Sequence, residues 1–171
     1  KLLLRLFLFG VLAGPCAAIV ESILFFLFES TIPQGMFLII IENFIGVACV
    51  EEGFKYLFLN TARKNPAFNY VFDAVVYSVC VTLGFATLEN ILYVFSDGGG
   101  LQVALMRAVF SVPGHFANGV VMGCFYGLAK KSQMEGYKGN ATIYYWLAFL
   151  LPMLEHGFYD AALSTEYDLF A

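Results

Sequence analysis

The stretch MFLIIIENFIGVACVEEGFKYLFL, residues 36–59, decides the fold. It is apolar over a length that can cross a bilayer, which takes about 20 residues in a helix. Yet it carries Glu42, Glu51, Glu52 and Lys55. Glu51 precedes Lys55 by four positions and Glu52 by three, so both carboxylates reach one ammonium from the same side of a helix. A charge near the bilayer centre costs a few kcal/mol, roughly, so such residues pair or serve a function.

Four further stretches match this one in length and apolar character. With it they give five expected spans: Leu4–Phe28, Met36–Leu59, Tyr70–Phe95, Leu101–Ala129 and Ala141–Leu163. The composition agrees. The 171 residues are 60% hydrophobic and only 13% charged, against about 25% charged in soluble domains, and the mean hydropathy is +0.77. The spans are too many and too long for a signal peptide followed by a soluble domain. Short connectors rich in Pro, Gly, Asn and Ser separate them. The expected fold is all-α: a polytopic transmembrane helix bundle, one domain over residues 1–171. Lys1 rather than Met opens the sequence, so a fragment of a longer chain is expected.

Charge placement orients the bundle. Lys1 and Arg5 precede the first span, Arg63 and Lys64 follow the second, and Lys130, Lys131 and Lys138 follow the fourth. The connectors after spans one, three and five carry Glu29, Asp97, Glu166 and Asp168 and no Lys or Arg. By the positive-inside rule the N-terminus is cytoplasmic. No basic stripe suggests nucleic acid as a partner. Cys16, Cys49, Cys80 and Cys124 fall one to a span without a C-x-x-C pair, and are read as small buried side chains.

The remaining polar groups lie inside spans: Glu21 in the first, Glu89 and Asn90 in the third, Arg107, His115 and Asn118 in the fourth, Glu155, His156 and Asp160 in the fifth. His156 and Asp160 are i,i+4. Pro113 and Pro152 lie just before the two histidines, and a proline removes a helical hydrogen bond and kinks the helix. The freed carbonyl then needs a partner or a wet cavity. Kinked helices around an intramembrane polar pocket are therefore expected. Counting along the helices from charged ends puts Glu89, His115 and His156 at one depth and the Glu pair roughly 5–10 Å shallower. Arg107 is expected to pair with Asp97 or Glu42.

EEGFK at 51–55, FATLEN at 85–90 and HGFYD at 156–160 resemble the EExxK, FxxxEN and HxxxD motifs of the PrsW family of intramembrane proteases. RAVFSVPGHFANGVVMG, 107–123, resembles the Arg-and-His span between them. The resemblance covers most of residues 45–161 in the family's order, and extends more distantly to the CAAX prenyl protease and bacteriocin-immunity group. Members generally have further spans. The resemblance implies a prokaryotic cell-membrane endopeptidase that makes a site-1-type cut in a membrane-anchored protein such as an anti-sigma factor. The candidate site residues are Glu51, Glu52, Lys55, Glu89, Asn90, His115, His156 and Asp160.

Hydrolysis needs an activated water, a base, an oxyanion stabiliser and an acid for the leaving amine. One Glu of the pair can be the base. Glu89, His115, His156 and Asp160 are candidate metal ligands, since two His and a carboxylate form a known catalytic zinc (Zn2+) set; a metal-free Glu/His site uses the same residues. Two other classes compete. Chains of Asp, Glu and His also build proton-coupled transporters or channels, but the matching halves such proteins show are absent here. A non-catalytic membrane binding protein on the same fold would retain the motifs. Taken singly, a buried Glu–Lys pair can be a packing ion pair and a lone histidine a packing residue. Polar groups repeated on four successive spans favour chemistry.

Overall fold

The computed structural model describes residues 1–96 and 99–169, with side chains through Thr165. Five helices cover it, with no strand among the described residues: α1 (Leu2–Thr31), α2 (36–60), α3 (Val71–Phe95), α4 (Leu101–Met134) and α5 (Lys138–Leu169). Each expected span is a helix. Their ends run a few residues past the apolar stretch, most clearly at Met134 and Lys138, because polar residues continue a helix into the headgroup layer. Helices α1, α3 and α4 are long and apolar enough to cross a membrane. The others carry the polar groups of the pocket, which lower their apolar content.

The helices close into a ring in the order α1, α3, α4, α5, α2, with α2 also touching α3. Small residues set the closest approaches. On α1, the stripe Leu6, Gly10, Ala13, Ala17 is buried, and a side chain at Gly10 or at Gly84 would strike the backbone of the facing helix, at Val81 and Phe7 respectively. On α4, Gly119, Gly123 and Gly127 recur every four residues against Thr82, Val75 and Val71 of α3. In lipid such small-residue seams allow the backbone contact that holds helices together. The outer faces are apolar, as at Ile19, Phe26 and Phe72.

Contacts at three levels fix the register of α2 against α5 as antiparallel: Asn43 with Ser164, Glu52 with His156, and Arg63 over the Tyr145 ring. The end of α2 also meets the end of α4, where Arg63 donates to Gln133. Lys1, Arg63, Lys64, Lys130, Lys131 and Lys138 thus share one end of the ring. Asp97 lies outside the described residues, and the side chains of Glu166 and Asp168 likewise.

Two short turns are built by local chemistry. The Asp73 carboxylate accepts the backbone N–H groups of Asn69 and Tyr70, both at 2.8 Å, and starts α3. The α4–α5 turn is only 135–137: Gly136, at φ 86°, takes the left-handed conformation while Tyr137 N–H bonds Ser132 O at 2.8 Å and Gly136 N–H bonds Gln133 O at 3.2 Å, the paired bonds of a glycine-ended helix.

Candidate active site

Two wide turns prepare the pocket. Residues 42–48 of α2 and 107–111 of α4 are π-helical, with Cys49 N–H bonded to Phe44 O and Val112 N–H to Arg107 O, five residues back. Pro113 cannot donate to the carbonyl four residues before it, and the wide turn just ahead of it absorbs that break; such turns are frequent at functional sites. Pro152 sits inside α5 and is fully buried.

Lys55 lies at the centre, with no exposed surface. Its ammonium donates to Glu52 Oε1 at 2.7 Å and Glu51 Oε2 at 3.1 Å, as the spacing requires. It also lies 3.4 Å from His115 Nδ1 and 4.0 Å from the centroid of the Phe85 ring. An ammonium has only hydrogens to offer, so it meets a lone pair on Nδ1. The proton of neutral His115 is then on Nε2, which donates to Glu89 Oε2 at 2.7 Å. Glu89 thereby fixes the ring with the Nδ1 lone pair aimed into the pocket.

Histidine 156 faces His115 edge to face, with centroids 5.4 Å apart. Its Nδ1 is 3.0 Å from Glu52 Oε1, and its Nε2 is 3.1 Å from Asp160 Oδ2 and 3.8 Å from Glu51 Oε2. The i,i+4 geometry of His156 and Asp160 thus survives Pro152 one turn earlier. All eight candidate residues join one hydrogen-bonded network, Asn90 through Arg107.

The structure bears on three expectations. Arg107 pairs with Glu89, at 2.8 Å, and not with Glu42, while Asp97 lies outside the described residues; the guanidinium also donates to Asn90 and Ser111 and lies over the Tyr93 ring. A long guanidinium reaches Glu89 on the neighbouring helix because α3 and α4 run antiparallel there. Second, the ligand atoms that gather within 4.8 Å of one another belong to Glu51, Glu52, His115 and His156. Glu89 and Asp160, also expected as ligands, contact the far nitrogens of the two imidazoles. Third, the Glu pair is level with the histidines. Helix side chains lean toward their own N-terminus; α2 and α5 are antiparallel, so the side chains of Glu52 and His156 lean toward each other and close the apparent gap.

Among the weaker candidates, Glu155 is exposed on the outside of the bundle and Glu42 stands near Glu29. Glu21 behaves differently: from α1 it comes close enough to Glu51, Glu89, His156 and Lys55 to feel their charges, and its Oε1 is buried without a partner. Arg107 and Glu21 are the pocket residues that sequence reasoning left outside. An intramembrane arginine and an intramembrane glutamate were the signals available for them.

The four gathered residues fit a divalent cation. Two imidazoles and two carboxylates are a zinc-type donor set, and Glu52 Oε2 is buried with no protein partner. Lys55 contacts three of the same four residues, so its ammonium and a divalent ion compete for one position.

Paired ionic groups and oriented imidazoles sealed inside a lipid-facing ring define a membrane-embedded hydrolase. The PrsW-protease family model, described as PrsW family intramembrane metalloprotease, matches residues 1–171. Protease PrsW of Clostridioides difficile (strain 630) is 36% identical over 168 residues, covering 96% of this chain and 68% of that protein. Protease PrsW of Oceanobacillus iheyensis is 36% identical over 164 residues, 95% of this chain and 70% of that protein; the Bacillus subtilis (strain 168) protein is 36% identical over 124 residues, 72% and 54%. No solved structure matches. The chain belongs to the PrsW family and is an integral membrane protease.

Proposed function

We propose that this protease is an endopeptidase of a prokaryotic cell membrane that cuts a membrane-anchored protein, of the anti-sigma-factor type, on the side away from the Lys/Arg-rich end. That end is then cytoplasmic, as is the N-terminus. The observation that carries the reading is the convergence of Glu51, Glu52, Lys55, His115 and His156 from three helices into one buried network.

The residues divide the work by their contacts. Each Glu bonds through one oxygen alone among the described residues, but Glu51 keeps slight exposure, whereas Glu52 has none. Glu51 is therefore the base: it takes a proton from water as the water oxygen attacks the scissile carbonyl. The proton passes to the leaving nitrogen as the C–N bond breaks, giving a carboxylic acid and an amine. Lys55 holds the two carboxylates together against their repulsion. Glu52 and Asp160 fix His156, while Glu89, held by Arg107, fixes His115. A zinc-type ion held by Glu52, His115 and His156 would supply Lewis-acid activation of water and carbonyl when bound, leaving Glu51 as the base.

The test is incubation of the purified chain in nanodiscs with a single-span substrate, with and without chelator, and mapping of the cut by mass spectrometry. A cut near the outward end of the substrate span, lost in Glu51→Gln, supports the proposal. Near-normal turnover in both Glu51→Gln and Glu52→Gln would overturn it.

A further inference from the structure

At the Lys/Arg-rich end of the ring, a cavity of about 760 Å³ opens between the ends of α2 and α4, and its lining shares no residue with the network above. Its lining includes Arg63, Lys64 and Lys130 and no acid. Among the described residues none of the three forms an ion pair, whereas Lys55 and Arg107 do, and even exposed Lys131 reaches Glu135 at 3.9 Å.

Two of the cations are held in place by neutral partners. Arg63 donates to Gln133 Oε1 at 2.7 Å and stacks over Tyr145, 5.0 Å from its centroid. Lys130 donates to Phe68 O at 2.7 Å and lies 3.6 Å from the Phe68 ring centroid. The amides on the wall point the same way chemically. Gln133 Oε1 also accepts from Tyr145 at 3.2 Å, and Asn60 Oδ1 accepts from Tyr126 at 2.6 Å. Both amide oxygens are thus engaged by protein donors, which leaves the two NH2 groups free to donate among the described residues. Cations beside free amide donors, with no acid among them, form an anion site; helix-end charge placement alone would not also consume the acceptors.

We propose that this cavity binds a phosphate group. Its basic lining suits the headgroup of an anionic phospholipid on the orientation proposed above, because basic pockets between transmembrane helices at the cytoplasmic surface recognise such headgroups, and Met134 adds an apolar wall beside the cations. Phosphate offers several acceptor oxygens, enough for Arg63, Lys64, Lys130 and the two amides together.

The experiment is native mass spectrometry and thermal unfolding of the full chain in detergent, with phosphatidylglycerol, phosphatidylcholine or inorganic phosphate added. Phosphatidylglycerol should be retained over phosphatidylcholine, and Arg63→Gln/Lys130→Gln should weaken it about tenfold or more, at roughly 1 kcal/mol per cation. Lys64→Gln, at an exposed position, is the variant that leaves packing intact and should weaken it by several-fold. Equal protection by millimolar inorganic phosphate, lost in the same variants, also supports the proposal and assigns a soluble source. Equal retention of the two lipids without any phosphate effect, or phosphatidylglycerol binding unchanged in Arg63→Gln/Lys130→Gln and Lys64→Gln, would overturn it.

Discussion

Replacing Lys55 by Met keeps the length of the side chain and removes the charge. Nζ lies 2.7 and 3.1 Å from the two carboxylates, inside a pocket that water does not reach around it. Removing one partner of a buried ion pair costs about 3–5 kcal/mol, because the other charge is left uncompensated. Here two carboxylates are left, and the histidine nearest them, His156, lies 3.0 Å from Glu52 and 3.8 Å from Glu51. The upper part of the range applies, about 4–5 kcal/mol, which for a chain of this size is a fall in melting midpoint of about 8–20 °C. Circular dichroism of the chelated protein in detergent measures it. Two rescues should follow. Glu52→Gln on the Lys55→Met background should return about 2 kcal/mol, since removal of both partners is far milder than removal of one. Zinc should restore about 2.7 kcal/mol at a hundredfold excess over its Kd, because the ion then supplies the charge the ammonium gave up. Lys55→Met should also bind zinc more tightly than the native chain. A chelated Lys55→Met protein melting within about 1 kcal/mol of native, or failing both rescues, would refute the central role of the ammonium.

Glu51→Gln should lower kcat/KM by about 10²–10⁴-fold with helicity unchanged, since a base contributes about that much; a loss confined to KM would speak against it. Glu89→Gln should cost about 10–100-fold in activity and in zinc affinity, the usual toll of freeing a ligating histidine, read by turnover and calorimetry together. On a background lacking the four cysteines, Gln34→Cys should react with an impermeant thiol reagent in intact cells and Lys64→Cys should not; the reverse pattern would invert the proposed orientation.

The spans were legible because lipid forces a blunt pattern: about 20 apolar residues in helical form with every backbone group bonded internally. The grouping of Glu51, Glu52 and Lys55 was legible too, since i,i+3 and i,i+4 neighbours meet on any helix. What resisted reading was set by tertiary context. Nothing local in IENFIGVAC marks a π-helical turn; its wider hydrogen-bond register is chosen where α2 packs against α5, as at Gly157 against Phe44. Arg107 was expected to meet an acid near the outer end of its span, such as Glu42, whereas its partner Glu89 is fixed by how α3 and α4 cross.

The depth estimate failed for a related reason, and the failure is instructive about the network. A count along helix axes treats each residue as a point at its Cα. Glu, Lys and His side chains reach several Å beyond it, and in helices they lean in a set direction. The facing lean of α2 against α3 and α5 brings acids and bases to one level although their Cα positions differ. At that level Glu51 and Glu52 meet Lys55, Glu89 meets Arg107 and His115, and Asp160 meets His156, each with an oxygen within about 3.1 Å of a nitrogen. Each imidazole therefore has one nitrogen held by a carboxylate outside the central group, Glu89 or Asp160, and the other turned toward Lys55 and the Glu pair. Such a division fixes the rings from behind while leaving their inner faces to chemistry. It explains why this chain places acids on three further spans besides the pair in ACVEEGFK: two of them orient histidines, and Glu21, with an oxygen left unbonded, is the acid through which α1 enters the pocket.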